Sequence, residues 1–547
     1  MNKENLIKTI KVILLSLVVV LIAVFFMSKK ANLDIDEAYT YGLANNTFQM
    51  NIENFKEYGG EELLIDYAAV KEDNKFDIAN VCFNQKNDTH PPLYFLLVNF
   101  ISSLNELKFS MWYGLYINIL FLIIIFWGMA HLLNKIINNK LFSIILTYIS
   151  FILYGFINFY SFTRMYVMLS AVSILFVILV VDFIDSNTKY KESLSLYNNI
   201  KTSEIDFKFL IKFYIICVIG ILTQYHFMII AGFFSLVLAV HLIKNKKFKL
   251  LFATFVVGVL SILTAILIFP PMLDHIFNTS TSLHAITSFA NPESLSNRLP
   301  KLLLGLNKAF FGIGLFIYIA LFVIGVVMLK LTKKIYFKNV FTFIKNHYIY
   351  FTFLLAAIFY FVIVCVTVKF SFQRYLYNIY PLIYIVIISP IYLMFFKLNK
   401  YFIFMAIVLA LLLGLTTNYG ISPTSLNIED SIFENYLHTN RDTKMILLYR
   451  TVDKELKRNS GNTSLWKMPS SIYIFKDMKN MTFVDISNDA ALTSFSNDTI
   501  EGYNDIFLVI YTFENDDYLI RNVMAKNNVS RCEKVYFTTY YHMYHLY

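Results

Sequence analysis

The sequence has 547 residues, of which 57% are hydrophobic and only 15% charged, with a formal net charge of +10. Water-soluble chains average about 25% charged residues, so the composition excludes an ordinary soluble enzyme, and the abundance of Ile, Leu, Phe and Val excludes disorder. Nor does the positive charge mark a nucleic-acid binder, because the lysines sit in short clusters between apolar runs, as membrane topology requires.

In chain order, the first element is an apolar run from Val12 to Met27, preceded by Lys8 and Lys11. No small-residue cleavage site follows at Ser28-Lys29-Lys30, so the run reads as a first transmembrane helix and not as a signal peptide. A crossing needs about 20 apolar residues. That ruler predicts spans near 7–27, 112–133, 141–162, 166–185, 209–223, 227–243, 250–269, 309–331, 348–369, 379–396 and 402–419, about eleven in all. With the N-terminus in the cytoplasm, every short basic loop falls on the cytoplasmic side. These loops hold Lys135 and Lys140; Lys189, Lys191, Lys201 and Lys208; Lys244, Lys246, Lys247 and Lys249; Lys333, Lys334, Lys338 and Lys345; and Lys397 and Lys400. The expected protein is an α-helical polytopic membrane protein of the cell membrane.

Three larger pieces then lie outside the cytoplasm: the loop 28–111, the loop 270–308 and a tail. The apolar stretch from Pro91 to Leu104 is too short to cross and is expected to lie along the outer membrane surface or to dip into it. Residues 1–419 form a transmembrane module, and residues 420–547 a small extracytoplasmic α/β domain. In that tail Ile506 to Tyr511 reads as a buried strand, Asp516 to Lys526 as a helix and Lys534 to Thr539 as a second strand. Cys217 and Cys365 fall inside spans. Cys82 and Cys532 share the outer compartment, where a disulfide and two free thiols are both open.

Polar groups gather at the outer ends of the spans. Just past the first span, Asp34, Asp36 and Glu37 place three carboxylates within four residues. One reading is a helix N-cap; the other is a general base that accepts the proton of an attacking hydroxyl. Farther along the loop, Asp88-Thr89-His90-Pro91-Pro92 starts an apolar helix, as prolines in a first turn do. His90 either binds phosphate or orders the loop. Arg164 and Arg374 sit at breaks between spans and run against the positive-inside trend, and guanidinium forks match phosphate oxygens. His226, at the break Thr223 to Phe227, is a ligand or a structural residue. Together these groups suit a lipid-phosphate sugar, whose phosphate lies at that depth.

The motifs resemble the GT-C fold glycosyltransferases, in particular the bacterial protein O-mannosyltransferase and aminoarabinose transferase group. Asp36-Glu37-Ala38-Tyr39 resembles the Asp-Glu pair of that family's first outer loop, and His90-Pro91-Pro92-Leu93-Tyr94 its His-Pro-Pro-Leu-Tyr segment. Arg164-Met165-Tyr166 is similar to its Arg-Met-Tyr. Thr223 to Phe227 is a looser version of its Thr-His-Tyr, and Arg374-Tyr375 with Pro381 resembles its Arg-Tyr and following Pro. There are departures. Phe162 stands where relatives often carry Glu, Gln224 and Tyr225 separate Thr223 from His226, and the tail matches no motif.

The resemblance implies inverting transfer from a polyprenyl-phosphate sugar to an extracytoplasmic acceptor hydroxyl on protein, glycan or lipid. Asp36 would be the base, with Glu37 supporting it. Arg164 and Arg374 would contact the donor phosphate, alongside Tyr166, Asp88, His90 and His226. No cofactor is required, and a divalent metal near Asp36, Asp88 or His90 is left open. The rival reading is a multi-span transporter or flippase of a lipid-linked saccharide. Transporters usually bind near the midplane through repeated halves, and no paired halves are found here.

Overall fold

A computed structural model describes residues 3–47, 50–193, 205–278, 292–331, 347–368, 371–398, 411–412, 414–418, 423–450, 465–487, 501–511 and 516–547. The chain forms two compact units. One comprises Met1–Ser28, Gln85–Tyr94 and Leu115–Pro423; the other comprises Lys29–Asn84, Phe95–Gly114 and Thr424–Tyr547.

The first unit is helical. Among the described residues, eight helices are long and apolar enough to cross a bilayer, or nine if the pair Lys140–Ser150 and Tyr154–Ser161 is one crossing. The chain is therefore a multi-pass membrane protein. Two of the eleven expected spans account for the difference. Span 209–223 is the 17-residue helix Phe207–Thr223, and most of span 402–419 lies outside the described residues. Lys201, Lys333, Lys334, Lys338, Lys345 and Lys400, from the expected basic loops, also lie outside them.

Span 141–162 bends by 72° between its two helices. The bend frees backbone groups that a bilayer cannot satisfy, and side chains from the same span and from far along the chain satisfy them. Asn418 Nδ2 donates to the Ile152 carbonyl at 2.6 Å, Tyr160 Oη to the Phe151 carbonyl at 3.1 Å, and the Tyr154 amide donates to Thr417 Oγ1 at 3.3 Å. Span 309–331 is also broken. Helix Pro292–Phe310 ends before a short 3-10 turn, Gly312–Gly314, and helix Leu315–Leu331 follows. Gly312 has φ +55°, and a Cβ there would lie 2.5 Å from the Thr416 carbonyl oxygen. Only glycine fits this turn. Lys135 joins helix Trp112–Ile137 to helix Tyr166–Ser193, with Nζ 2.9 Å from Asp182 and 2.7 Å from Asp185. Pairing of this kind is what permits ionised groups in a membrane-spanning bundle.

The second unit holds a six-stranded sheet in the order β1-β3-β2-β4-β6-β5. Its strands are β1 (Glu57–Tyr58), β2 (Lys444–Tyr449), β3 (Met481–Asp485), β4 (Ile506–Ile510), β5 (Cys532–Phe537) and β6 (His542–Leu546). β2 runs parallel to β3 and β4, with Ile446 opposite Thr482 and Leu508. The outer pairs are antiparallel. β2 and β4 are buried along their whole length, which explains their unbroken apolar runs. Leu519, Ile520 and Val523 of helix Asp516–Ala525 pack with Ile446, Leu448, Ile506, Leu508 and Ile510 in one core.

The predicted strand at 506–511 and helix at 516–526 are present, and the second predicted strand sits about two residues earlier, as β5. The sheet is also larger than those elements imply, because β1 comes from the first loop and pairs with β3 through Glu57 and Thr482. A second tie from the same region is the Ala31 amide, which donates to the Leu426 carbonyl at 2.8 Å. Cys82 and Cys532 are both free thiols, so the disulfide weighed from sequence is not formed.

Candidate active site

The three carboxylates after the first span sit in three different settings. Helix Ile35–Asn45 starts at Asp34, whose side chain accepts the Asp36 amide at 2.9 Å. Glu37 reaches back to accept the Asp34 amide at 2.7 Å, which completes a capping box. The Glu37 side chain is fully buried, and its Oε2 lies 2.9 Å from Lys30 Nζ. Lys30 also donates to the Ser425 carbonyl. Asp36 donates its backbone amide to the cap, and the residue is half-buried. It shares a helix face with Tyr39, three residues on, and the Tyr39 hydroxyl donates to the Trp466 carbonyl. The N-cap reading thus belongs to Asp34 and the buried ion pair to Glu37, while the carboxylate outside the capping box is that of Asp36. Sequence reasoning passed over Lys30; its only signal is a lysine seven residues before a glutamate, too far apart for one helical turn.

The other predicted residues assemble within the helical unit. Asp88 Oδ2 lies 2.8 Å from His90 Nδ1. Burial pushes the Asp88 carboxyl up, but the His90 charge and hydrogen bond, aided by Arg164, hold it well below the usual carboxylate range. Arg164 is buried, at a break whose carbonyls Asn118 clamps: Asn118 Nδ2 donates to Tyr160 at 3.0 Å and to Phe162 at 2.9 Å. Phe162 stacks on Tyr166 with centroids 6.1 Å apart, and Tyr166 meets Tyr377 edge-on at 5.9 Å. The Arg374 guanidinium lies 4.2 Å from the Phe372 ring centroid and 5.8 Å from that of Phe162. His226 stacks on Tyr375 at 6.0 Å. Burial, and then the nearby His90 charge, lower the His226 pKa to about 4, so it is a neutral ring at physiological pH.

Two further residues join this cluster. Tyr225 Oη lies 2.9 Å from His275 Nδ1, and His275 Nε2 lies 3.2 Å from the Lys86 carbonyl oxygen. With Tyr225 donating, His275 is the tautomer that donates from Nε2 to Lys86 and ties down the chain two residues before Asp88. Burial and the Asp88 charge both raise the Tyr225 pKa. The sequence signal for His275 was its place just after Pro270-Pro271, at the end of an apolar run.

Five segments thus bring together Asp88, His90, Arg164, Tyr225, His226, His275 and Arg374. Of the groups joined by these contacts, two are guanidiniums and one is a carboxylate. Such a balance suits an anion with several oxygens. Along nearly its whole length the chain is similar to ArnT. The crystal structure of ArnT from Cupriavidus metallidurans bound to undecaprenyl phosphate aligns with a TM-score of 0.47 and 10% sequence identity, over 98% of this chain and 98% of that one. No family model matches the sequence, and no curated protein matches it. Among the described residues, no group of three or more His, Cys, Asp or Glu side chains is arranged to hold a metal ion.

Proposed function

We propose that the protein is a membrane glycosyltransferase that takes a sugar from a polyprenyl-phosphate carrier and passes it, with inversion, to an extracytoplasmic hydroxyl. The observation that carries this reading is the pair of guanidiniums, Arg164 and Arg374, at breaks between membrane helices, in one cluster with the Asp88–His90 contact. Arg164 and Arg374 receive the donor phosphate. Tyr166, His226 and the Asp88–His90 pair shape its surroundings. The motif likeness of Asp36-Glu37 and His90-Pro91-Pro92 to the GT-C family supports the same chemistry.

The step is a direct displacement. The acceptor oxygen attacks the anomeric carbon from the face opposite the phosphate. A carbon–oxygen bond forms there, the bond to the phosphate oxygen breaks, and the acceptor proton passes to Asp36. The polyprenyl phosphate leaves as an anion, and its charge is met by the arginines. Glu37 serves by fixing the helix that presents Asp36. The reaction needs no cofactor. The lysine distribution supports a cytoplasmic N-terminus, and residues 420–547 belong to an extracytoplasmic α/β domain.

The test is transfer in vitro with purified protein, a panel of radiolabelled polyprenyl-phosphate sugars and membrane extract as acceptor. The expected result is label moving from one donor into a new product, and its loss in Asp36→Asn. Absence of both transfer and donor hydrolysis for every lipid sugar, with the protein folded, refutes the reading in favour of a transporter or flippase.

A further inference from the structure

The helix that carries Asp36 is tied to a second element of its own unit, the 3-10 turn Leu465–Ser470. The tie is the Tyr39 hydroxyl on the Trp466 carbonyl. The turn itself is pinned from within. Ser470 Oγ donates to the Lys467 carbonyl at 2.6 Å, Ser471 Oγ to the Met468 carbonyl at 3.0 Å, and Lys467 Nζ to the Tyr511 carbonyl at 2.9 Å. Lys467 and Met468 point into the interior and are buried. Trp466 is 41% exposed, with Lys467 Nζ 5.8 Å from its ring centroid. Its ring stands edge-on to Tyr540, with centroids 6.1 Å apart and planes at 85°. A pinned turn therefore holds an aromatic ring partly in the open, on the element that the Tyr39 hydroxyl of the Asp36 helix contacts.

A partly exposed ring on a fixed backbone offers an apolar face against which a ligand can pack. What it fits follows from its neighbours. A pyranose ring has an apolar face of C–H bonds, which packs on an indole, and a rim of hydroxyls, which donate to a carboxylate. Trp466 and Tyr540 supply the first kind of surface, and Asp36 supplies the second. An extended peptide would ask instead for an unpaired strand beside the carboxylate, and residues 465–470 form a 3-10 turn. We infer that Trp466 and Tyr540 form an acceptor subsite for a saccharide, so that the hydroxyl glycosylated belongs to a sugar ring. This rests on the reading of Asp36 as the base, and it narrows the acceptor from protein, glycan or lipid to a carbohydrate.

The test uses the full-length protein in detergent, with Trp466→Ala and Trp466→Phe beside the wild type. These substitutions keep the backbone carbonyl that holds Tyr39. Binding is read first, on an array of oligosaccharides, which requires no donor and no turnover. Wild type is expected to bind a defined subset, Trp466→Ala to lose about tenfold in affinity, and Trp466→Phe to lose less, since a single stacked ring contributes on that scale. In the transfer assay the Ala variant should raise the acceptor KM by a similar factor with a smaller change in kcat. Saccharide binding that depends on Trp466, without transfer from any lipid donor, would uphold the subsite and sink the transferase reading. Transfer with an acceptor KM within twofold of wild type in Trp466→Ala would overturn the subsite. So would an Ala variant whose main defect is weaker sedimentation with phospholipid vesicles, which would make Trp466 a bilayer anchor.

Discussion

Removing Lys30 should unfold more than its position at the end of a membrane helix implies. Lys30→Met deletes the ammonium 2.9 Å from Glu37, and both side chains are fully buried. The carboxylate then keeps the Asp34 amide as a donor but loses its counter-charge. Breaking a buried pair from one side costs about 3–5 kcal/mol. For a unit of 150–250 residues, each kcal/mol lowers Tm by about 2–4 °C, so the fall is about 6–20 °C. Lys30→Met/Glu37→Gln removes the orphaned charge while the carboxamide oxygen still accepts the Asp34 amide. That double variant should lie within about 1–2 kcal/mol of wild type, the cost of the hydrogen bonds that remain unmade. The ordering is the signature: the double variant is more stable than the Lys30 single, with a coupling of about 2–3 kcal/mol. Urea titration with pulse proteolysis of the detergent-solubilised protein reads it directly. A Lys30→Met loss below about 1 kcal/mol, with no coupling to Glu37, would refute a buried pair as the support of this helix.

Further expectations concern the reaction, pH and backbone. Asp36→Asn should lower kcat by about 10²–10⁴, the usual span for a lost general base, while urea midpoints stay unchanged. Arg164→Lys exchanges a planar fork for a point charge and should raise the donor KM more than it changes kcat. His226 has its pKa lowered from 6.5 to about 4. Between those values the unfolded chain binds the proton and the folded chain does not, so stability falls as pH drops from 6.5 to 4. The loss is about 1–3 kcal/mol after allowance for partial exposure, and His226→Asn should flatten that slope in thermal melts. Asp88 adds nothing in this window, because a depressed carboxyl loses its contribution only below its ordinary pKa. Gly312→Ala should lower Tm, since the left-handed backbone alone costs about 1–2 kcal/mol and the new Cβ meets the Thr416 carbonyl at 2.5 Å.

The membrane helices were legible because an apolar run of bilayer length is rarely anything but a crossing. Breaks inside them were less so. The bend in span 141–162 falls at Phe151-Ile152-Leu153, without proline or glycine, and two of the side chains that satisfy its backbone, Thr417 and Asn418, come from far along the chain. Local pattern carries no trace of such a partner. At the site, Arg164 and Arg374 stood out because charge at a span end is costly, whereas His275 and Asn118 act through backbone carbonyls and look ordinary. The acidic loop offered a cap or a base as alternatives. The structure assigns the cap to Asp34 and leaves the Asp36 carboxylate outside it, a distinction that needed Lys30 to be seen against Glu37. In the tail, β4 was visible as an unbroken apolar run. Strand β1 was not, because two residues carry no periodicity and the pairing with β3 is remote.

That remote pairing has a consequence for the timing of biogenesis. The lysine that steadies the Asp36 helix bonds to a carbonyl 395 residues later in the chain. At ribosomal rates of about 5–20 residues per second, the early half of the unit waits about 20–80 s for its partner to be made. Until then Lys30 has no Ser425 to hold and β1 has no sheet to join. A truncated or stalled chain therefore inserts its first helices yet carries an unseated carboxylate helix. The carboxylate helix is seated only once the chain has been made past Ser425, so its order is a late acquisition for a segment translated early.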